Sequence, residues 1–461
     1  MSVGVQLRLY WATVGLTAIL LRGLSATLRV LKAIGLSQII APGLLKLAET
    51  WRIRGEKPWT SSPPAKSEDQ VIWIHAASGE FEYAKPVIRE LQKQRPELKF
   101  LVTYFSPTYR RQVENFPGIT WSFALPFDSP RVWEKFVAHF RPQALLISRT
   151  DVWPGMIHRL SEAKVPMLLF SSTFGPATAR LHRPARRLTL HALKQIDEIQ
   201  VVDEADKKYL LSAAAKIPDP VSQLEPWRVR VAGDTRYDQV LARLASPKAL
   251  PPAWRQSRSW IVGSAWAEDL EVIGPAWASM RGERPRLVIV PHEPSSQFCR
   301  AIVAQARSSW GAQHVALASD IRDLPHVDLD VLVVDQVGFL AELYRDAWIA
   351  TVGGSFRRSV HSVMEALAAG VFCVLGPHHR NNREALDFQR VFAPGELHDL
   401  HDRQQAAIEV VFNSEECRAS VEKLMNQLGH HPHWRDWLIA EVNSRTGATQ
   451  AVLEWLNKKL S

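Results

Sequence analysis

Cysteine is nearly absent. The 461 residues include only Cys299, Cys373 and Cys417, scattered and odd in number. They build no disulfide framework and no thiolate zinc site, and they fit a reducing cytoplasm. Long apolar runs are missing as well. Leu9 to Leu21 is apolar apart from Thr, Tyr and Gly, and Arg8 and Arg22 bracket it. It falls short of the roughly 20 residues that a spanning helix needs, and no small-residue cleavage site follows it as in a signal peptide. Zinc spacing, an aromatic RNA-binding strand and a long Lys/Arg run are all lacking, so nucleic acid is not an expected partner. No carboxylate pair stands at a strand end, and His378 and His379 have no third ligand at useful spacing. No metal and no cofactor is expected. Internal repeats and low-complexity tracts are absent.

What is present is the composition of a globular enzyme, 46% hydrophobic and 22% charged. The length allows two or three cores. The net charge of +9 fits an anionic membrane surface or an acidic substrate. Beyond Arg22 the positions Leu24, Leu28, Val30, Leu31, Ile34 and Leu36 stay apolar, with Arg29 and Lys32 polar. We read residues 1–56 as a helical membrane anchor region, lying in the interface or tilted into it, with basic groups toward anionic head groups. A helix that caps the first domain is the competing reading.

A Pro/Ser/Lys-rich stretch, Lys57 to Asp69, precedes the first strand, Gln70 to His75. Glu80 to Lys93 has a helical apolar face of Ala84, Val87, Ile88 and Leu91. Strands follow at Lys99–Tyr104, Ile119–Leu125, Ala144–Ser148, Pro166–Phe170, Glu198–Val202 and Trp227–Ala232. After a Pro-rich linker, Pro247 to Pro252, a second series runs Trp260–Gly263, Arg286–Pro291, Asp330–Val334, Trp348–Val352 and Phe372–Leu375. This βαβ alternation predicts an α/β protein with parallel sheets covered by helices. It divides into a first Rossmann-like domain at 57–240 and a second at 250–461. The helical stretch Glu415 to Leu460 has the option of packing back on the first domain. Ligands are expected at the carboxyl ends of the strands.

Val352-Gly353-Gly354-Ser355-Phe356, then His361-Ser362-Val363-Met364-Glu365-Ala366, then Gly376-Pro377, reads as strand, glycine turn, helix, strand and glycine turn. The glycines allow close backbone approach to a ligand. A helix from near Val360 would present free N–H groups to an anion. Glu365, four residues beyond His361 on one helical face, suits a ribose diol. The pattern points to a nucleotide cradle and a nucleotide-sugar enzyme. An ordinary βα turn packed on glycine is the plainer alternative.

His75-Ala76-Ala77-Ser78-Gly79-Glu80-Phe81, Thr103-Tyr104-Phe105-Ser106-Pro107, Asp151-Val152-Trp153-Pro154, Val231 to Asp238, Val290-Pro291-His292-Glu293-Pro294 and Leu343-Tyr344 complete a set with that cradle. In order and spacing the set resembles the 3-deoxy-D-manno-octulosonic acid (Kdo) transferase family of lipopolysaccharide synthesis. The resemblance runs from about Arg52 to the C-terminal helix. It implies the GT-B fold, two Rossmann-like parallel-sheet domains facing a cleft. It also implies inverting, metal-independent transfer of Kdo from CMP-Kdo to a 6′-hydroxyl of the lipid A precursor lipid IVA, at the cytoplasmic face of the cell inner membrane.

Carried over residue by residue, the resemblance makes Glu80 the base that takes the acceptor's proton. It makes Arg236 the cation that meets the leaving phosphate and gives Arg149 a charge role on the anionic sugar or acceptor. Asp151 is an acid/base partner or, more simply, the cap of a helix at Pro154. On the nucleotide side it implies His292 and Glu293, the backbone of Val337-Gly338-Phe339, Gly354 and Ser355, His361, and Ser362-Val363-Met364-Glu365. Three departures stand out. The turn before Glu80 lacks one residue between Ser78 and Gly79, His292-Glu293 replaces an Arg-His pair, and Ser362 replaces an Asn. The alternatives are a GT-B transferase or epimerase for another nucleotide sugar, and a non-catalytic membrane-bound scaffold on a degenerate nucleotide fold.

Overall fold

A computed structural model describes residues 3–33, 49–50, 52–55, 58–217, 223–325, 327–394 and 405–461. The chain divides into two compact units, 1–239 with 446–461, and 240–445.

The first unit is built on β1 (Val71–His75), β2 (Lys99–Tyr104), β3 (Ile119–Ala124), β4 (Ala144–Ser148), β5 (Met167–Ser172), β6 (Glu198–Val201) and β7 (Val229–Val231). They pair in parallel in the order β3-β2-β1-β4-β5-β6-β7. The central strands are buried along their whole length, as sequences such as Ala-Leu-Leu-Ile-Ser require. Alternate residues feed two cores. Trp73, Leu101, Leu145 and Leu169 join one, and Ile72, Ile74, Val102 and Leu146 the other.

The second unit repeats the plan with β8 (Ser259–Ala265), β9 (Arg286–Pro291), β10 (Val315–Leu317), β11 (Val331–Val333), β12 (Ala347–Val352), β13 (Phe372–Leu375) and β14 (Ile408–Val410). The order is β10-β11-β9-β8-β12-β13-β14, again parallel. Strands β10 and β14, three residues each and at the two edges, escape the sequence reading.

The domain reading is corrected at its end. The C-terminal helix Ala448–Leu460 belongs with the first unit. Its Val452, Leu453, Trp455 and Leu456 lie in that unit's second core.

In a doubly wound sheet the crevice opens where the strand order reverses. That point falls between β1 and β4 in the first sheet and between β8 and β12 in the second. The segments after these four strands carry Glu80, Arg149, Trp266 and the Gly353 turn.

Among the described residues, no helix is long and apolar enough to cross a membrane. The N-terminal helix Val3–Ala33 belongs to the first unit. Its inner side places Leu7 in a buried position, sets Trp11 against His158 with the rings tilted by 47° and donates the Tyr10 hydroxyl to Asp128 Oδ2 at 2.7 Å. Its outer side exposes Val5, Leu9, Leu16, Ile19 and Leu20, the last three at 60–67%. With exposed Ala12 these sit three or four residues apart, which is one continuous apolar stripe.

Candidate functional site

Glu80 stands immediately before the helix Phe81–Gln94 and caps it by position. Both hydrogen bonds to its carboxylate land on Oε2, from the Ser78 N–H at 2.7 Å and the Ser78 hydroxyl at 2.8 Å. The shortened turn is thus closed by the carboxylate itself. The Glu80 carbonyl accepts from Ser148 Oγ at 2.8 Å, which ties the turn to the end of β4.

Arg149 follows β4 directly, with φ +69 and its N–H held by Phe170 O at 3.0 Å. Its guanidinium lies 4.9 Å from the Tyr83 ring centroid. Arg236 lies 5.8 Å from the same ring, in the first turn of the helix Thr235–Ala245. That turn is fixed by buried Thr235, whose hydroxyl donates to Tyr83 O at 2.8 Å, and by Asp234, which accepts the Arg236 N–H at 2.8 Å. Three residues distant in sequence thus converge on one helical turn, with both arginines against the Tyr83 ring. Nearby Tyr109 has its phenol pushed up by burial first, then by Glu82 and Glu80. Tyr83 and Tyr109 were missed by sequence reasoning. Tyr83 had an available signal, because it stands three residues beyond Glu80 on the same helix.

Asp151 is not a helix cap. The helix Pro154–Glu162 has its Gly155 and Met156 N–H groups held by buried Asp128, at 2.8 and 2.7 Å. Asp151 instead receives His75 Nε2 at 3.0 Å, Trp153 Nε1 at 2.9 Å and Arg180 at 2.6 Å. Burial opposes its charge. The His75 hydrogen bond and charge, then Arg180 and Trp153, outweigh burial and hold the carboxyl well below the usual range. The contact clamps the end of β1 to the loop after β4.

In the second unit the glycines are dictated by geometry. A Cβ on Gly353 would sit 2.0 Å from Ser264 O, and Gly354 has φ +83. The reading of a helix from Val360 is wrong. The Val360 N–H goes to His378 O and the His361 N–H to Gly353 O, which bends the segment away from helical pairing. The helix is only Met364–Ala368, so His361 and Glu365 do not share a helical face. The free donors expected at the start of that helix are absent too, because the His378 and Gly353 carbonyls take the Val360 and His361 N–H groups. The Gly354 and Phe356 N–H groups are taken by the Asp269 carboxylate at 2.8 and 3.2 Å. Burial raises the Asp269 pKa, and these N–H groups partly offset it.

Polar groups remain around that turn. Ser355 is fully buried, and its hydroxyl meets no partner among the described residues. Ser362 is exposed, with its hydroxyl near the Met364 N–H at 3.4 Å, and Val363 is buried beneath. Glu365 is half-buried. His292 is exposed and stacks 4.3 Å from His361, with Glu293 exposed beside it. Val337 and Gly338 form an exposed loop. Lys248 Nζ binds Gly338 O at 3.0 Å, and Phe339 packs edge-on against Trp254 at 5.1 Å. Among the described residues no three His, Cys, Asp or Glu side chains are grouped to hold a metal ion.

Two doubly wound units in one chain, each with a parallel seven-stranded sheet, are the architecture of the GT-B fold. Solved structures agree on the fold. UDP-GlcNAc 2-epimerase from Neisseria meningitidis bound to UDP-GlcNAc aligns with a TM-score of 0.53 at 17% identity, covering 84% of this chain and 100% of that one. Another UDP-N-acetylglucosamine 2-epimerase aligns at 0.51 and 12%, covering 84% and 96%. Residues 50–239 match the family described as 3-Deoxy-D-manno-octulosonic-acid transferase (kdotransferase). The 3-deoxy-D-manno-octulosonic acid transferase of Haemophilus influenzae is 28% identical over 418 residues, 86% of this chain and 91% of that protein. That of Bordetella pertussis is 28% identical over 337 residues, 68% and 73%. By these matches the chain is similar to Kdo transferases over most of its length.

Proposed function

We propose that this protein transfers Kdo from CMP-Kdo to a hydroxyl of a lipid A precursor, with inversion and without a metal ion. The observation that carries the reading is the convergence of Glu80, Arg149 and Arg236 around Tyr83. A base and two cations on one turn suit a sugar transfer in which a hydroxyl loses a proton while a phosphate departs. Ser78 holds Glu80 Oε2, so Oε1 is the oxygen that meets the acceptor hydroxyl. Arg236 meets the growing phosphate charge, and Arg149 holds the carboxylate of the sugar. The second unit binds the nucleotide through Ser355, His361, Ser362, Glu365 and the Val337–Phe339 loop. Release of CMP from CMP-Kdo only when acceptor is present, competed by CMP and not by UDP, is the expected result. Competition by UDP alone would favour another nucleotide sugar, and no release with any acceptor would favour the scaffold reading.

The acceptor is a lipid, and the outer stripe of the N-terminal helix supports a site of action at the cytoplasmic face of the inner membrane. Its apolar side chains lie opposite the face that packs on the first unit, as in a helix lying in an interface. Changing Leu16, Ile19 and Leu20 together to Ser is expected to release the protein from vesicles of phosphatidylethanolamine and phosphatidylglycerol, with soluble-donor binding intact. Tyr10 and Asp128 are untouched by these changes, so the helix keeps its seat. Equal sedimentation of both proteins with such vesicles would refute the anchoring role.

A further inference from the structure

Trp266 follows β8, and its indole Nε1 lies 3.0 Å from His361 Nε2. An indole N–H only donates. His361 Nε2 therefore accepts, and the imidazole is neutral with its proton on Nδ1. The two ring planes are 19° apart, and His292 lies over both, 4.7 Å from Trp266 and 4.3 Å from His361. The His361 backbone is fixed at both ends, with its N–H on Gly353 O at 3.1 Å and its carbonyl on Asn382 Nδ2 at 3.1 Å.

Charged groups from several elements pack around this pair. After β8, Glu268 pairs with Arg357 at 3.1 Å, and Asp269 is held by the Gly354, Trp266 and Phe356 N–H groups. Arg357, on the same segment as His361, lies 4.0 Å from the Trp266 ring. After β9 stands His292, and the segment after β13 carries His378, His379 and Arg380 and donates the Asn381 and Asn382 amides to the Val360 and His361 carbonyls. Burial first, then His292, lowers the His361 pKa in the same sense as the Trp266 bond.

The geometry points to Trp266 as a positioning residue that keeps His361 a neutral, fixed Nδ1–H donor for the oxygen atoms of the bound nucleotide. This rests on the second unit being the donor site. A neutral donor keeps that contact constant across the range where histidines ordinarily change charge.

The test uses the full chain. Long-range proton–nitrogen correlation spectra, with His361 assigned by loss of its signals in His361→Gln, report which ring nitrogen carries the proton. In the wild type His361 is expected as the Nδ1–H form, unchanged from about pH 5 to 8. In Trp266→Phe, which keeps a ring but removes the N–H, His361 is expected to titrate. Calorimetry with CMP supplies the functional arm. The affinity of the variant relative to wild type is expected to rise about tenfold from pH 8 to pH 5.5, as a neutral hydrogen bond becomes charge-assisted. A proton on His361 Nε2 in the wild type overturns the proposal whether or not the variant folds. So does identical titration in both proteins, or an affinity ratio flat with pH. Expected spectra without any CMP binding would leave the tautomer standing and overturn the donor reading on which its role rests.

Discussion

Glu80→Gln is expected to lose about 10²–10⁴-fold in turnover, the usual cost of removing a general base. The substitution isolates the proton transfer. The Gln side chain keeps an amide oxygen where Glu80 Oε2 receives the Ser78 N–H and hydroxyl. The Ser148 bond reaches the Glu80 backbone and is unaffected. The turn therefore keeps its shape while the group can no longer accept a proton from a sugar hydroxyl. CMP affinity should stay within about threefold of wild type, since the base serves the chemical step rather than the nucleotide. Steady-state kinetics with a CMP-binding titration on the same preparation measures both. Near wild-type turnover would remove Glu80 from the mechanism and leave its carboxylate as a turn-closing group.

Arg236→Ala is expected to cost about 10²–10³-fold in rate, while EDTA leaves turnover unchanged. Charge grows on one phosphate as the sugar leaves, and a fixed guanidinium in a preorganised site stabilises it without rearrangement. The residue's seat does not depend on its side chain. Asp234 binds the Arg236 backbone N–H, and Thr235 ties the helix start to Tyr83. Arg236→Lys should recover part of the rate, because it restores charge but not the fork. A divalent ion would need well-placed carboxylates and usually keeps several waters. Asp269, the buried carboxylate at the Gly353 turn, is committed to backbone N–H groups. Loss of activity in EDTA, restored by magnesium, together with a mild Arg236→Ala, would contradict the metal-free account.

The fold was legible because the strands are buried on both faces and alternate with amphipathic helices, a local pattern. Edge strands β10 and β14 were not, although β7 and β11 are as short and were read. The first-unit candidates were legible as individual residues. Their meeting around Tyr83 was not, because it depends on the β1–β4 adjacency and on Thr235 reaching across to the helix after β1. The Gly353 turn misled in an instructive way. Val360 to Leu367 has helical composition, but bonds to Gly353 and His378 override propensity as far as Val363. The donors that a glycine turn offers a ligand went to Asp269, some 85 positions earlier in the chain. Trp266 carried no local signal at all, since its role exists only against His361.

Transfer of Kdo to a lipid A precursor is the reaction proposed for this chain. Mass spectrometry of the lipid after incubation with CMP-Kdo and a tetra-acylated precursor tests it most directly. The predicted result is a lipid heavier by a whole number of Kdo residues, formed in EDTA and absent with Glu80→Gln. An unmodified lipid, from protein that binds CMP and the precursor, would contradict the account.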